Sequence, residues 1–130
     1  MLEYIKGMDV SSMDEIEQLG AVFYDEGKQG DLLEILKKYG SNYIRLRLWN
    51  DPRSEDGKPY GAGNTDYEVT LRMAKRVKAA GMNYLLDFHY SDVWDDPVMQ
   101  RNRKTWICYN IEQLKQWVYE FTKENMRKVM

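Results

Sequence analysis

An internal repeat constrains the fold of this chain more than any other feature of its sequence. Residues 40–51, GSNYIRLRLWND, match residues 81–92, GMNYLLDFHYSD, with glycine, asparagine, tyrosine and the final aspartate at equivalent places, 41 residues apart. Each copy starts with a glycine that can end a helix in the left-handed conformation, and then runs into apolar residues typical of a buried strand. The repeated unit is therefore a helix, a glycine stop, a strand and a polar loop.

Three segments have the apolar spacing of an amphipathic helix, and the first two lead into the repeated glycines. The helical patterns fall within residues 32–39, 69–80 and 111–121. Thr65 and Glu68 form a predicted capping box at the start of the second helix, and Asn110 with Gln113 marks the start of the third. We therefore expect one helix before each repeated strand and a further helix after the second.

A strand-like segment at residues 4–10 precedes the first helix, so the predicted order is β-α-β-α-β-α. Strands that alternate with helices predict an α/β fold with a parallel sheet and right-handed crossovers, either an open doubly wound sheet or part of a (β/α)₈ barrel. In both architectures, ligands bind at the C-terminal edge of the strands. The sequence has no Gly-x-Gly-x-x-Gly after the first strand and no phosphate-binding loop, which disfavours a nucleotide-binding open sheet.

Composition excludes several classes of function. The chain has 130 residues, enough for one domain with a modest core or for part of a larger one, and its net charge of −2 gives no electrostatic reason to predict a nucleic-acid or membrane partner. Cys108 is the only cysteine, so neither an internal disulfide nor a zinc site of several thiolates is expected, and we predict no metal and no cofactor. The first ten residues lack the pattern of a secretory signal, so we expect any signal to have been removed or not to have been included.

Two arginines occupy the second predicted strand. Arg45 and Arg47 alternate with apolar residues, so the two-residue period of a strand places both side chains on one face. In an isolated hairpin that face would be solvated, but both faces of a parallel sheet are covered. We therefore expect the two guanidinium groups to meet acidic side chains in an active-site network inside a barrel.

The third predicted strand carries the only histidine of the chain. Asp87 and His89 share one face of this strand, and Asp92 and Trp94 follow its end. A lone histidine is usually buried and hydrogen-bonded to a neighbouring carboxylate, but the position of His89 at a strand end makes contact with a ligand an equal alternative.

Three aspartates lie at or just beyond the three successive strand ends, at Asp9, Asp51 and Asp92. Aspartate is a common turn and cap residue, so each alone carries little information. Together they indicate a site whose carboxylates bind sugar hydroxyls, orient arginines, or act as acid and base. Trp49 and Trp94 are candidates for stacking on a sugar ring.

Four segments together resemble the arabinogalactan endo-β-1,4-galactosidases, which form glycoside hydrolase family 53. They are residues 7–12, 42–52, 80–92 and 94–97, in the order and spacing of the family. The resemblance implies a secreted (β/α)₈ barrel enzyme that cleaves internal β-1,4-galactosyl bonds of galactan and type I arabinogalactan with retention of configuration. Enzymes of that kind use two carboxylates about 5 Å apart, and the resemblance implies two glutamates, at the ends of the fourth and seventh strands.

The resemblance also implies that the chain is the N-terminal part, residues 1–130, of a single catalytic domain without an internal boundary. Both catalytic glutamates would lie beyond residue 130, because the chain has only three predicted strand-helix units and a full barrel needs roughly 250 residues. The isolated chain is therefore expected to be inactive, and its implied role is to line the substrate cleft and to support the catalytic pair. The residues implied for this role are Asp9, Arg45, Arg47, Trp49, His89, Asp92 and Trp94. Which of the two arginines positions the nucleophile stays open.

A different class of function is also compatible with the sequence. A non-catalytic carbohydrate-binding or scaffold α/β domain would keep the aromatic residues of the cleft without needing the catalytic acids. In either case, three strands leave an open parallel edge and uncovered apolar surface. We therefore expect poor stability of the monomer and self-association unless the rest of the barrel is supplied.

Overall fold

The computed structural model describes residues 4–92 and 104–129. Within these residues the strands and α-helices are, in chain order, β1 (Gly7–Asp9), α1 (Met13–Gln18), β2 (Phe23–Asp25), β3 (Lys28–Gly30), α2 (Leu32–Lys38), β4 (Tyr43–Leu48), α3 (Tyr67–Ala79), β5 (Asn83–Phe88) and α4 (Ile111–Val129). A short 3₁₀ helix, Lys104–Trp106, precedes α4. None of the helices in this part of the chain combines the length and the apolar character that crossing a membrane requires.

The central sheet has three parallel strands in the order β1-β4-β5, as the alternation of strands and helices predicts. Tyr43 lies opposite Asn83 and Leu48 opposite Phe88, an offset of 40 residues, whereas equivalent positions of the repeat are 41 residues apart. The two repeat copies are thus staggered by one residue across the sheet. A closed eight-stranded barrel with a shear of eight requires an average stagger of one residue per strand.

The observed element order departs from the predicted order between the first strand and α2. The predicted strand spans residues 4–10, whereas β1 is confined to Gly7–Asp9. The helix α1 and an antiparallel hairpin of β2 and β3 are absent from the prediction. Each hairpin strand has three residues and α1 has six, which is too short for a hydrophobic period to be recognised. Glu26 and Gly27 form the hairpin turn with φ angles of 49° and 79°, as a tight two-residue connection requires.

The helix ends follow the sequence prediction at three of four places. Gly40 and Gly81 follow α2 and α3 with φ angles of 93° and 72°, as the repeat predicts. Asn110 and Gln113 form a reciprocal capping box before α4, with N···O distances of 3.0 and 2.9 Å. The predicted box of Thr65 and Glu68 is wrong, because the carboxylate of Asp66 accepts the hydrogen bond from the Val69 amide and makes Asp66 the N-cap of α3.

The hydrophobic core lies between the outer face of the sheet and the helices. Ile44 and Leu46 point outward from β4 and are fully buried. They belong to one core cluster with Met73 and Val77 of α3 and Leu33 of α2. The alternate residues of the strands point to the opposite, inner face. The packing of α2 and α3 on one side therefore leaves the inner face free to carry polar groups.

Candidate active site

Polar and charged residues occupy the inner face of the parallel sheet. Asp9 lies opposite Arg45 in the register of β1 and β4, and Arg47 lies opposite Asp87 in that of β4 and β5. Because register partners in a sheet point to the same side, these four side chains share one face. His89 follows β5 at the same C-terminal edge, where its amide donates to the carbonyl of Leu48 at 2.9 Å. The structure thus places the predicted residues of three strands together.

Arg45 connects the three strands through two carboxylates. Its Nη1 donates to Oδ2 of Asp9, and its Nη2 donates to Oδ2 of Asp87. The Arg45 side chain is 42% exposed, so solvent screens both ion pairs. Its geometric effect is to tie one acid from each neighbouring strand to the middle strand, Asp9 in register with Arg45 itself and Asp87 in register with Arg47.

The carboxylate of Asp87 is shared between a cation and the histidine. The Oδ2 atom that accepts from Arg45 also lies 2.8 Å from Nε2 of His89. The His89 ring meets the ring of Trp49 edge to face, with 5.9 Å between their centroids. The orientation of the imidazole is therefore set by a carboxylate at one nitrogen and by an aromatic ring at its side.

Arg47 is buried and lies nearer the C-terminal edge of β4 than Arg45. Its Nη2 donates to Oγ of Ser12 and to the carbonyl of Ala62, both at 3.2 Å. Its Cζ lies 5.4 Å from the centroid of the Trp49 ring. Burial lowers the pKa of the Arg47 guanidinium, and the charges of Asp9 and Asp87 oppose this shift.

Asp9 is held as an anion. Burial raises the pKa of its carboxyl, but hydrogen bonds from the amide and hydroxyl of Ser11, with the charge of Arg47 and a hydrogen bond from Arg45, outweigh burial and keep the pKa below its ordinary value. The Ser11 amide donates to Oδ1 at 2.9 Å. A carboxyl with these partners stays ionised at neutral pH, so Asp9 is suited to pairing with a cation and not to donating a proton.

The predicted residues at the loops have different surroundings. Asp92 is buried, and its two oxygens accept from the backbone amides of Asp51 at 3.2 Å and Lys104 at 3.0 Å. These contacts join two loops at the edge and do not link Asp92 to the Arg45 network. Trp49 is only 1% exposed, so protein covers its ring. Trp94 lies outside the described residues.

The groups that hold Arg47 are absent from the sequence-based candidates. They are the hydroxyls of Ser11, Ser12 and Thr70 and the carbonyl of Ala62. The adjacent serines after Asp9 could have been predicted as site residues, because they follow a strand end at the edge where the site lies. The carbonyl of Ala62 gives no signal, since any residue type supplies one. In the described residues, no group of three or more His, Cys, Asp or Glu side chains is arranged to hold a metal ion.

Comparison with known proteins gives a consistent result. The sequence pattern of Glycosyl hydrolase family 53 matches residues 5–130. The endo-β-1,4-galactanase of Bacillus subtilis is 43% identical over 129 residues, a match that covers 98% of this chain and 30% of that protein. The probable arabinogalactan endo-β-1,4-galactanase A of Neosartorya fischeri is 42% identical over 120 residues, covering 92% of this chain and 32% of that protein.

Two solved structures have the same fold over this part. The Ignisphaera aggregans GH53 catalytic domain superimposes with a TM-score of 0.92 at 44% identity, covering 96% of this chain and 35% of that one. A structure of fungal β-1,4-galactanases gives a TM-score of 0.83 at 34% identity, with 95% and 35% coverage. The chain thus spans about a third of the length of the proteins it matches. These similarities confirm the predicted fold class, the first three βα units of a (β/α)₈ barrel.

Proposed function

The chain belongs to glycosyl hydrolase family 53, and we propose that it is the N-terminal part of the single (β/α)₈ domain of a secreted, retaining endo-β-1,4-galactanase. "The complete domain" below means this chain together with the remaining strands of that proposed barrel. The proposed substrate is β-1,4-galactan or type I arabinogalactan, as the names of the bacterial and fungal relatives suggest. The resemblance recognised from the four sequence motifs agrees with the family match.

The arrangement on the inner face is the observation that supports this proposal. Asp9, Arg45, Asp87 and His89 form one connected network at the C-terminal edge of parallel strands, where barrel enzymes have their active sites. The network comes from three different strands and ends in a histidine at the rim. A chain whose only task was to complete a fold would need no such network, because apolar side chains fill the interior of a barrel more favourably than ion pairs.

The proposed chemistry divides the work between this chain and the remaining strands. Two glutamates beyond residue 130 act as acid/base and nucleophile, about 5 Å apart, as retaining glycosidases require. Arg47 stands two residues further along β4 than Arg45, or about 6.6 Å nearer the catalytic edge. We therefore assign to Arg47 the position next to the nucleophile, where a cation lowers the pKa of a carboxyl and keeps it ionised. Arg45 holds Asp9 and Asp87 and thereby orients His89.

The proposed roles at the rim follow from exposure and contacts. His89 faces the cleft with its orientation fixed by Asp87, so it is suited to a hydrogen bond with a sugar hydroxyl. Trp49 supports His89 and Arg47 from below, since its ring is covered. Asp92 joins the loops that border the cleft. The isolated chain lacks both proposed catalytic glutamates, and we propose that it is inactive alone.

The stereochemistry of hydrolysis tests this proposal. The complete domain is mixed with β-1,4-galactan and with a β-1,3-linked galactan as control, and proton NMR follows the first anomer released. We expect the β-anomer to form first from the β-1,4-linked polymer, with no release from the control. An α-anomer, or failure to cleave β-1,4-galactan, would contradict the proposed function.

A further inference from the structure

The loop after β4 contains a left-handed turn at residues 61–64. The four consecutive φ angles are 88° at Gly61, 60° at Ala62, 101° at Gly63 and 44° at Asn64. Residues with a side chain adopt this conformation at a cost in free energy, so a turn of this kind persists only when its surroundings hold it. Ala62 and Asn64 both have a side chain and a positive φ, and they alternate with the glycines of the turn.

The side chain of Glu15, on α1, holds this turn. Its Oε2 accepts from the amide of Gly63 at 2.6 Å, and its Oε1 accepts from Nδ2 of Asn64 at 2.5 Å. The other atom of the amide group, Oδ1 of Asn64, accepts from the amide of Gly61 at 2.8 Å. Both carboxylate oxygens of Glu15 are thus used on the turn. The turn also fits closely against the chain, because a Cβ on Gly63 would lie 2.6 Å from the carbonyl oxygen of Ser11.

The turn presents one backbone group to the inner face of the sheet. The carbonyl of Ala62, in the middle of the turn, accepts from Nη2 of Arg47 at 3.2 Å. The same nitrogen donates to Oγ of Ser12 at 3.2 Å, and the guanidinium carbon lies 5.4 Å from the centroid of the Trp49 ring. A continuous set of contacts therefore leads from Glu15 through the turn to Arg47.

We propose that Glu15 is a positioning residue for Arg47: by holding the left-handed turn, it aims the Ala62 carbonyl at the guanidinium group and fixes its orientation in the cleft. This inference rests on the proposed function, because it gives Arg47 a task in galactan hydrolysis. Glu15 acts on Arg47 only through the turn, since its two carboxylate oxygens bind Gly63 and Asn64. It lies 32 residues before Arg47 and on another element, so sequence proximity does not account for the link.

A double-mutant cycle in the complete domain tests the link. Glu15→Ala is expected to lower kcat on β-1,4-galactan about tenfold with KM within about twofold, because a misaimed guanidinium weakens the reaction more than binding. In the Arg47→Lys background, the same substitution is expected to change kcat less than about twofold, since the group that Glu15 positions is already gone. An equal loss in both backgrounds, or a rise in KM alone, would overturn the proposal.

Two further variants keep the test decisive. Glu17→Ala is the matched control, because Glu17 lies on the same helix and its carboxylate binds Arg76 at 2.5 Å on another side of the molecule. It is expected to leave kcat unchanged. If Glu15→Ala does not fold, Glu15→Gln replaces it, since the glutamine amide keeps the acceptor for the Gly63 amide but not the acceptor for Asn64. We expect a smaller loss of kcat with the same dependence on Arg47, and no dependence on Arg47 would overturn the proposal.

A spectroscopic measurement separates this inference from the proposed function. Nitrogen-15 NMR of the arginine side chains reports how freely a guanidinium group rotates. We expect the Arg47 signals of the complete domain to broaden or average in Glu15→Ala and to stay as in wild type in Glu17→Ala. Unchanged Arg47 signals in Glu15→Ala would overturn the positioning role, whereas a failure to cleave galactan with changed Arg47 signals would overturn only the proposed function.

Discussion

At the scale of single residues, the carboxylate of Asp87 is shared between two partners on the inner face. One of its oxygens accepts from Arg45 and lies 2.8 Å from Nε2 of His89. The side chain is 29% exposed, so the two interactions contribute little to stability compared with fully buried ones. Their main effect is geometric, because they decide which way the imidazole faces.

The variant Asp87→Asn therefore tests whether this carboxylate orients His89 or mainly stabilises the fold. The amide retains the shape but loses the charge, so His89 is held less firmly, and we expect kcat of the complete domain on galactan to fall at least about tenfold. The free energy of unfolding should fall by about 1 kcal/mol or less. Asp25→Asn is the matched control, since Asp25 also pairs with a cation, Lys38 at 2.5 Å, but far from the inner face. Wild-type kcat in Asp87→Asn would contradict the role assigned to the network.

Asp14 illustrates a charge whose role depends on pH. Arg72 donates from Nε at 2.9 Å and from Nη2 at 2.6 Å, and these hydrogen bonds lower the pKa of the Asp14 carboxyl in the folded chain despite partial burial, which raises it. A folded pKa below the unfolded value means that the stabilisation is present above about pH 4 and is lost as the pH falls through the folded pKa.

The variant Asp14→Asn is expected to lower the free energy of unfolding at pH 7 by about 1 kcal/mol or less, since Arg72 is well exposed. The difference from wild type should shrink as the pH is lowered from 5 to below 3. Urea unfolding at several pH values measures it. A constant difference across that range would show that the ion pair with Arg72 is not the cause.

Sequence alternation was sufficient to place these side chains but not to name all of their partners. The two-residue period of residues 43–49 predicts that Arg45 and Arg47 share a face, and the structure puts both on the inner face. The predicted acidic partners exist for Arg45. Arg47 instead donates hydrogen bonds to a serine hydroxyl and to a backbone carbonyl. A carbonyl at a sequence separation of 15 residues depends on loop conformation, which no local pattern encodes.

At the scale of elements, the turn at residues 61–64 requires glycine at one place for a steric reason. A Cβ on Gly63 would meet the Ser11 carbonyl oxygen at 2.6 Å, whereas a Cβ on Gly57, which also has a positive φ of 78°, would meet nothing within 4 Å. Both glycines thus have a positive φ, and they differ in the space around them.

The variants Gly63→Ala and Gly57→Ala measure the two contributions separately. Gly57→Ala should cost about 1 kcal/mol for the left-handed conformation alone. Gly63→Ala should cost about 2 kcal/mol more, because the methyl group overlaps backbone that cannot move away easily. Denaturant unfolding of both variants of the complete domain measures their free energies of unfolding. An equal loss of stability in the two variants would show that the loop shifts to accommodate the methyl group.

The elements that sequence analysis found and missed differ in length. The segments before both repeated glycines and the one after Asn110 carry two or more turns of apolar spacing, and each is a helix in the structure. The missed helix α1 is held instead by long-range ion pairs, in which Asp14 binds Arg72 and Glu17 binds Arg76 of α3. Pairing with a helix more than 50 residues away leaves no local period to detect.

At the scale of the whole molecule, the apolar surface is unevenly covered. Helix α4 has an exposed row of apolar residues, which includes Ile111, Tyr119 and Met126, and Leu85 is exposed on the inner face. In the described part of the chain, β5 pairs only with β4 and leaves its other edge without a strand. We propose that further strands and helices of the barrel cover these surfaces in the complete domain.

The isolated chain should therefore self-associate, with sedimentation velocity showing a weight-average mass that rises with concentration. Ile111→Glu on α4 should reduce this association. Leu19→Glu is the matched control, because Leu19 is 81% exposed and Ile111 80%, but Leu19 lies on the α1 side. An equal effect of both substitutions would contradict the role of the α4 row, and in the complete domain neither substitution should change the mass.

The α/β class was within reach of the sequence because the repeat encodes it, whereas the choice of a barrel over an open sheet came from the family resemblance. Two copies of a helix, glycine, strand and polar loop predict parallel pairing, and the strand register in the structure adds the one-residue stagger that a barrel of this kind requires. Which site residues belong to this chain and which to the remaining strands was harder to predict, since it depends on the strands that close the barrel. This chain supplies the arginines, the histidine and the groups that orient them, and the proposed catalytic glutamates lie beyond residue 130.

Galactan hydrolysis, measured side by side for the complete domain and the isolated 130-residue chain, tests this division most directly. Reducing ends released from β-1,4-galactan are counted at equal molar concentrations of the two proteins. We predict turnover by the complete domain and none above buffer by the isolated chain. Turnover by the isolated chain, or intact galactan with the complete domain, would contradict the proposed division of the site.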